Sequence, residues 1–139
     1  MSRTTPILAG AATLGTAVML LTGCTSSPQE DVSTACTAAA AHGAALKSFQ
    51  ESLSPDATVE QVKAARDEVQ KTYDDMVDAA EEVSQDRVNA LEKAWDELDK
   101  AVEDIPDDAT LQQAADSLKN EAADVESARS DVASELNCT

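Results

Sequence analysis

Leu53–Val62 reads LSPDATVEQV, and Ile105–Ala114 reads IPDDATLQQA. In each stretch a threonine precedes an apolar residue, and a glutamine follows three positions after the threonine: Thr58 with Gln61, and Thr110 with Gln113. This is the capping-box pattern, in which hydroxyl and amide satisfy the free N–H groups of a helix start. Asp56 and Asp108 add negative charge where the helix dipole is positive. Pro55 and Pro106 sit just ahead of these starts, where a preceding helix has to stop. Both stretches therefore predict a break followed at once by a new helix.

Between the breaks, apolar residues keep helical and heptad spacing. Val32, Ala39, Leu46 and Leu53 recur every seven residues, as do Val62, Val69, Met76 and Val83. Leu91, Leu98 and Ile105 follow, with Val88, Trp95 and Val102 on the neighbouring row, and then Leu111, Leu118, Val125 and Val132. Strand-like alternation is missing, and the fold class is all-α. A third break is predicted near Ser84, because Val83 to Val88 is five residues where the rhythm expects four. Ser84 is a candidate N-cap, with Asp86 in the first turn.

Four helices, over 33–53, 58–83, 85–104 and 109–136, give an antiparallel up-down-up-down four-helix bundle. The rival is three helices, in which the second and third fuse into one rod of about 47 residues and ~70 Å. The rod buries less of each apolar stripe, so the bundle is favoured. The two capped stretches lie 52 residues apart, an offset shared by Leu46 and Leu98, Leu53 and Ile105, and Ala80 and Val132. Two readings stay open here: a duplicated helical hairpin, or two alanine-rich turns converging on the same good caps.

The amino terminus has a different character. Arg3 is followed by an uncharged run from Ile7 to Leu21 that contains Gly10 and Gly15. At fifteen residues it falls short of the ~20 that a membrane-spanning helix needs, and it reads as a secretory signal. The run ends at Leu21-Thr22-Gly23-Cys24, which resembles the lipobox of bacterial lipoproteins. The resemblance implies cleavage before Cys24, diacylglycerol on its thiol and an anchor in the membrane. Acyl chains contribute roughly 0.8 kcal/mol per buried CH₂, so two or more hold a protein stably. Together with the Ala-, Asp-, Glu- and Val-rich, Lys-poor composition, the chain resembles the small helical lipoproteins of high-GC Gram-positive bacteria. The expected organisation is a signal peptide over 1–23, a lipidated Cys24 with a flexible linker over 24–32, and an acidic bundle over 33–139. Residues 25–31 reach at most about 25 Å.

With Cys24 assigned to lipid, Cys36 and Cys138 remain, one near each end of the helical region. In an exported domain they read as a disulfide; two free thiols or an intermolecular bridge are the alternatives. Up-down-up-down topology places both at one end of the bundle.

The full chain carries a net charge of −17, from 10 basic and 27 acidic residues. Loss of Arg3 with the signal would leave −18. A nucleic-acid partner is excluded, for want of a basic stripe to displace counterions. Catalytic constellations are also lacking: there is no phosphate-binding glycine loop, no Glu-x-x-His di-iron signature and no EF-hand spacing. His42, the sole histidine, has no carboxylate at helical spacing and reads as a helix-surface or seam residue. No cofactor, metal site or enzymatic activity is expected.

Acidic residues do gather, at Asp74, Asp78, Glu81 and Glu82, and at Asp96, Glu97, Glu103, Asp104, Asp107 and Asp108. They read first as solvated faces and second as weak cation-binding surfaces. Trp95 lies on an apolar row and is expected in the core rather than exposed for recognition. The leading functional expectation is a lipid-anchored, non-catalytic envelope module, structural or protein-binding, on the extracytoplasmic face. The alternative is a binding module for cations or a small cationic ligand.

Overall fold

A computed structural model describes residues 28–81 and 84–139, with the side chain of Gln113 left aside. Four helices run through these residues: α1 (Pro28–Ser52), α2 (Val59–Ala80), α3 (Gln85–Glu103) and α4 (Leu111–Glu135). No strand occurs among the described residues. α1 packs most extensively on α2, and α3 on α4, with slimmer α1–α4 and α2–α3 seams closing the bundle.

The heptad rows make the core. Leu46, Phe49, Val62, Val69, Met76, Leu91, Leu98, Val102, Leu118, Val125 and Val132 are all buried, as is Trp95. Tyr73 and Trp95 stack with ring centroids 5.3 Å apart and planes at 19°. Ala35, Ala39, Ala80 and Ala122 fill the narrow parts of the seams, where a methyl group lets two helix backbones approach closely. Large side chains, at roughly 1.5–3 kcal/mol each when fully buried, supply most of the apolar stabilisation.

Helix ends follow local chemistry, with three corrections to the expectations. α1 begins at Pro28 rather than 33, so residues 28–32 belong to the helix and not to a flexible linker. Proline is well placed in a first turn, where its missing N–H is not needed, and Glu30 and Asp31 face the positive end of the dipole. α2 and α3 do separate, which rules out the fused rod, but Ser84 is not a side-chain cap. Its φ and ψ of −151° and 59° are not those of a usual N-cap, and its hydroxyl makes no cap bond. It is buried without a hydrogen-bond partner. Val83 and Glu82 lie outside the described residues.

The third correction concerns the caps. Thr58 forms the full capping box: the Gln61 backbone N–H donates to Thr58 Oγ1 at 3.2 Å, and the Thr58 N–H donates to Gln61 Oε1 at 2.9 Å. Thr110 has extended backbone but makes no side-chain cap bond. Thr58→Ala is accordingly expected to lower the unfolding free energy by about 1 kcal/mol. Thr110→Ala should change it by a few tenths at most, and urea titration of both variants separates them.

The two interhelical turns repeat each other bond for bond. Leu53 N–H donates to Gln50 O and Ala57 N–H to Ser54 O; Ile105 N–H donates to Val102 O and Ala109 N–H to Pro106 O. Each pair is offset by 52 residues, and α2 and α4 begin at matching positions, Val59 and Leu111.

Candidate functional site

The end of the bundle that holds the start of α1 is built around the disulfide. α4 closes at Leu136, and Asn137 takes a positive φ of 56°. Asn137 N–H then donates to Ser134 O, and Cys138 N–H to Ala133 O. This is the Schellman arrangement, which asparagine tolerates nearly as well as glycine. It turns the chain back so that Cys138 meets Cys36, with Cα atoms 5.4 Å apart and a bond between the sulfurs. The two cysteines singled out in the sequence are thus brought together. Leu21, Thr22, Gly23 and Cys24 lie outside the described residues. Three residues, Thr25 to Ser27, separate Cys24 from α1, a reach of at most about 11 Å.

Deeper in the same half lies His42, which is fully buried. It sits in the α1 seam rather than at the surface. Its Nδ1 is 3.1 Å from Thr72 Oγ1, and its ring lies 6.1 Å from Tyr73. Thr72 Oγ1 already donates into the carbonyls of its own helix, at 2.9 Å from Val69 O and 3.1 Å from Glu68 O. With that proton committed, Thr72 accepts from His42 Nδ1–H, and Nε2 is left as a buried acceptor without a partner. An unfilled acceptor is the cheaper orphan, since a buried N–H without an acceptor is rarer in folded proteins. Burial first, and then the positive charge of Arg129, lower the His42 pKa from 6.5 to about 4; Glu126 and a hydrogen bond with the Val69 backbone act the other way.

Arg129 is the residue that sequence reasoning missed. Its Nε donates to Glu126 Oε2 at 2.8 Å, and its Nη1 reaches across from α4 to Ala39 O at 3.2 Å. Gly43 makes room for it, because a Cβ there would stand 3.1 Å from the guanidinium carbon. Glycine inside a helix costs about 1 kcal/mol relative to alanine, and here it lets a charged group lie against the α1 backbone. No local sequence signal connects Gly43 to Arg129.

The phenol of Tyr73 is pushed up to about 12, by burial and then by the carboxylates of Glu92, Asp96 and Asp74. Trp95 is in the core, as its apolar row predicts. Asp74, Asp78, Glu81, Asp96, Glu97, Glu103, Asp104, Asp107 and Asp108 are all exposed; Glu82 lies outside the described residues. Among the described residues, no group of three or more His, Cys, Asp or Glu side chains is placed to hold a metal ion.

Several acidic residues have cationic neighbours. Lys63 pairs with Asp107 at 2.9 Å, Lys100 with Asp104 at 2.6 Å and Arg87 with Glu135 at 2.7 Å. Such exposed pairs contribute about 0–1 kcal/mol each. Arg66 is more enclosed. Its Nε lies 3.1 Å from Asp99 Oδ1, yet neither atom makes a well-angled hydrogen bond, so this contact between α2 and α3 is an ion pair only.

Among the described residues, no helix is long and apolar enough to cross a membrane. Compared with known protein families, with curated proteins and with solved structures, the chain matches none.

Proposed function

We propose that the chain is a cell-envelope lipoprotein, anchored through Cys24 on the extracytoplasmic face of the membrane. Its bundle acts there as a non-catalytic structural or protein-interaction module. The observation that carries this reading is the placement of Leu21-Thr22-Gly23-Cys24. The motif closes an uncharged run and stands immediately ahead of α1 at Pro28.

Two features agree with it. A disulfide between Cys36 and Cys138 suits an oxidising, extracytoplasmic setting. The short spacing between Cys24 and α1 would hold the disulfide-bonded end of the bundle near the bilayer, while the acidic surface repels anionic headgroups rather than lying on them. A partner then meets the sides or the far end of the bundle.

The test is to compare the wild-type chain with Cys24→Ala in bacterial cells. The wild type is expected in the membrane fraction, resistant to salt and carbonate washing and released by detergent, whereas Cys24→Ala appears in soluble fractions. Cross-linking in intact cells should recover a membrane-proximal protein with the wild type alone. Equal solubility of the two chains would overturn the anchor, and cross-linking that returns no neighbour would overturn the interaction role.

A further inference from the structure

The two hairpins share one turn design but differ in what lies behind it. At the 52-residue offset, Leu53, Ala57 and Thr58 correspond to Ile105, Ala109 and Thr110, with the same pair of turn bonds. Phe49 and Val62, each 0% exposed, correspond to Ala101 and Ala114. Two large apolar side chains of the first hairpin are thus two methyl groups in the second. An open groove of about 450 Å³ lies at that place; Ala101, Ala109, Ala114 and Leu118 are among its apolar lining, and Asp104, Thr110 and Ser117 add polar groups.

Its rim is acidic. Glu103, Asp104, Asp107 and Asp108 fall within six residues. Lys100, Lys63 and Arg66 pair with Asp104, Asp107 and Glu103, but Arg66 is shared with Asp67 and Asp99, so the edge keeps a net negative charge. By the topology of the bundle, this turn is at the end opposite the Cys36–Cys138 bond.

Building on the interaction-module reading, we infer that the groove receives one phenylalanine-like side chain from a basic segment of another protein. The first hairpin shows which group suits the turn: a benzyl side chain fills the corresponding position from within. The negative rim favours lysine or arginine on either side of the incoming ring. A second copy of this chain does not supply the ring, because Phe49, Tyr73 and Trp95, its three aromatics, are all buried at 0%, 9% and 5% exposure. The partner is therefore a different protein, reached at the end of the bundle that faces away from the bilayer.

The experiment uses the full chain in nanodiscs of neutral phosphatidylcholine at physiological salt, with labelled alanine methyls read by NMR. The probe is a short synthetic peptide with a central phenylalanine flanked by lysines. Saturable shifts are expected at the methyls of Ala101, Ala109 and Ala114. Replacing the peptide phenylalanine by alanine should weaken binding about 10- to 100-fold, the value of burying one large side chain. Glutamate in place of the flanking lysines should abolish saturation. Ala101→Phe supplies the benzyl group from within the chain and should weaken binding at least about tenfold while the helices remain folded. Ala114→Val restores the smaller of the two missing groups and gives a second, milder test.

Shifts that are absent, or equal for the phenylalanine and alanine peptides, overturn the inference. So does undiminished binding to either folded variant. Failure here with Cys24-dependent membrane retention intact leaves the anchored reading standing. Loss of that retention with peptide binding intact would remove the anchor and spare the groove.

Discussion

Opening the Cys36–Cys138 bond, by reduction or by the paired Cys36→Ser and Cys138→Ser substitutions, is expected to lower the unfolding free energy by about 4–5 kcal/mol. The sequence separation is 102 residues, so the bond closes nearly the whole helical region into one loop. In the chain-entropy account, the unfolded-state freedom that a cross-link removes grows with loop length, and a loop of this size removes a large share.

The folded side of the balance makes the loss conspicuous. Many core positions are alanines, each adding little buried area, and the chain carries a net −17 that works against a compact state. A single domain of this kind has only about 5–15 kcal/mol in hand. Guanidinium titration with and without reductant measures the difference. A loss below about 1 kcal/mol would mean that the Schellman turn at Asn137 and the α1–α4 seam hold the ends together without the bond.

Acid is the second large perturbation, and His42 determines its sign. The unfolded chain binds a proton at His42 near pH 6.5, whereas the folded chain does so only near 4. Between those values the unfolded state binds more protons, so stability falls as pH falls. The contribution is fully present above 6.5 and is lost progressively toward 4, by about 3 kcal/mol in total and about 2 kcal/mol by pH 5.

The cause lies in the surroundings of the ring. Protonation would place a charge in the buried α1 seam beside Arg129 of α4, with the neutral Thr72 hydroxyl and Val69 backbone as its hydrogen-bonding neighbours. Glu126, whose negative charge acts on the ring in the opposite sense, is already engaged by Arg129. His42→Gln isolates the contribution of the ring. Denaturant midpoints at pH 7 and pH 5 should move apart for the wild type and much less for His42→Gln. Parallel shifts in the two chains would show that protonation of His42 is not what acid acts on.

Much of this architecture is legible in the sequence because it is written in local terms. Heptad rows from Val32 to Val132 specify which faces are buried, and the slip between Val83 and Val88 specifies a break that the structure contains. Cys36 and Cys138 needed only the antiparallel topology to be placed together. What escaped depends on side-chain conformation or on distance along the chain. Thr58 and Thr110 share one motif, yet only Thr58 orients its hydroxyl onto the helix start. Ser84 stands at the predicted position, but its backbone turns the wrong way to cap. Pro28 begins α1 inside a polar segment that reads like linker.

The site was less legible than the fold. His42 has an unremarkable neighbourhood in sequence, because Thr72, Tyr73 and Arg129 come from other helices. The groove at Ala101 became visible only when the second hairpin was compared with the first, where Phe49 occupies the corresponding place. The proposed lipidation, by contrast, rests on Leu21 to Cys24 alone, outside the described residues.

Three thiols are assigned two fates, and intact mass of the chain extracted from bacterial membranes reads both at once. Under non-reducing conditions, the predicted species begins at Cys24, carries at least one diacylglycerol and is lighter by two hydrogens until reductant is added. A chain that still begins at Met1 without added hydrocarbon, or whose mass does not change on reduction, would contradict that assignment.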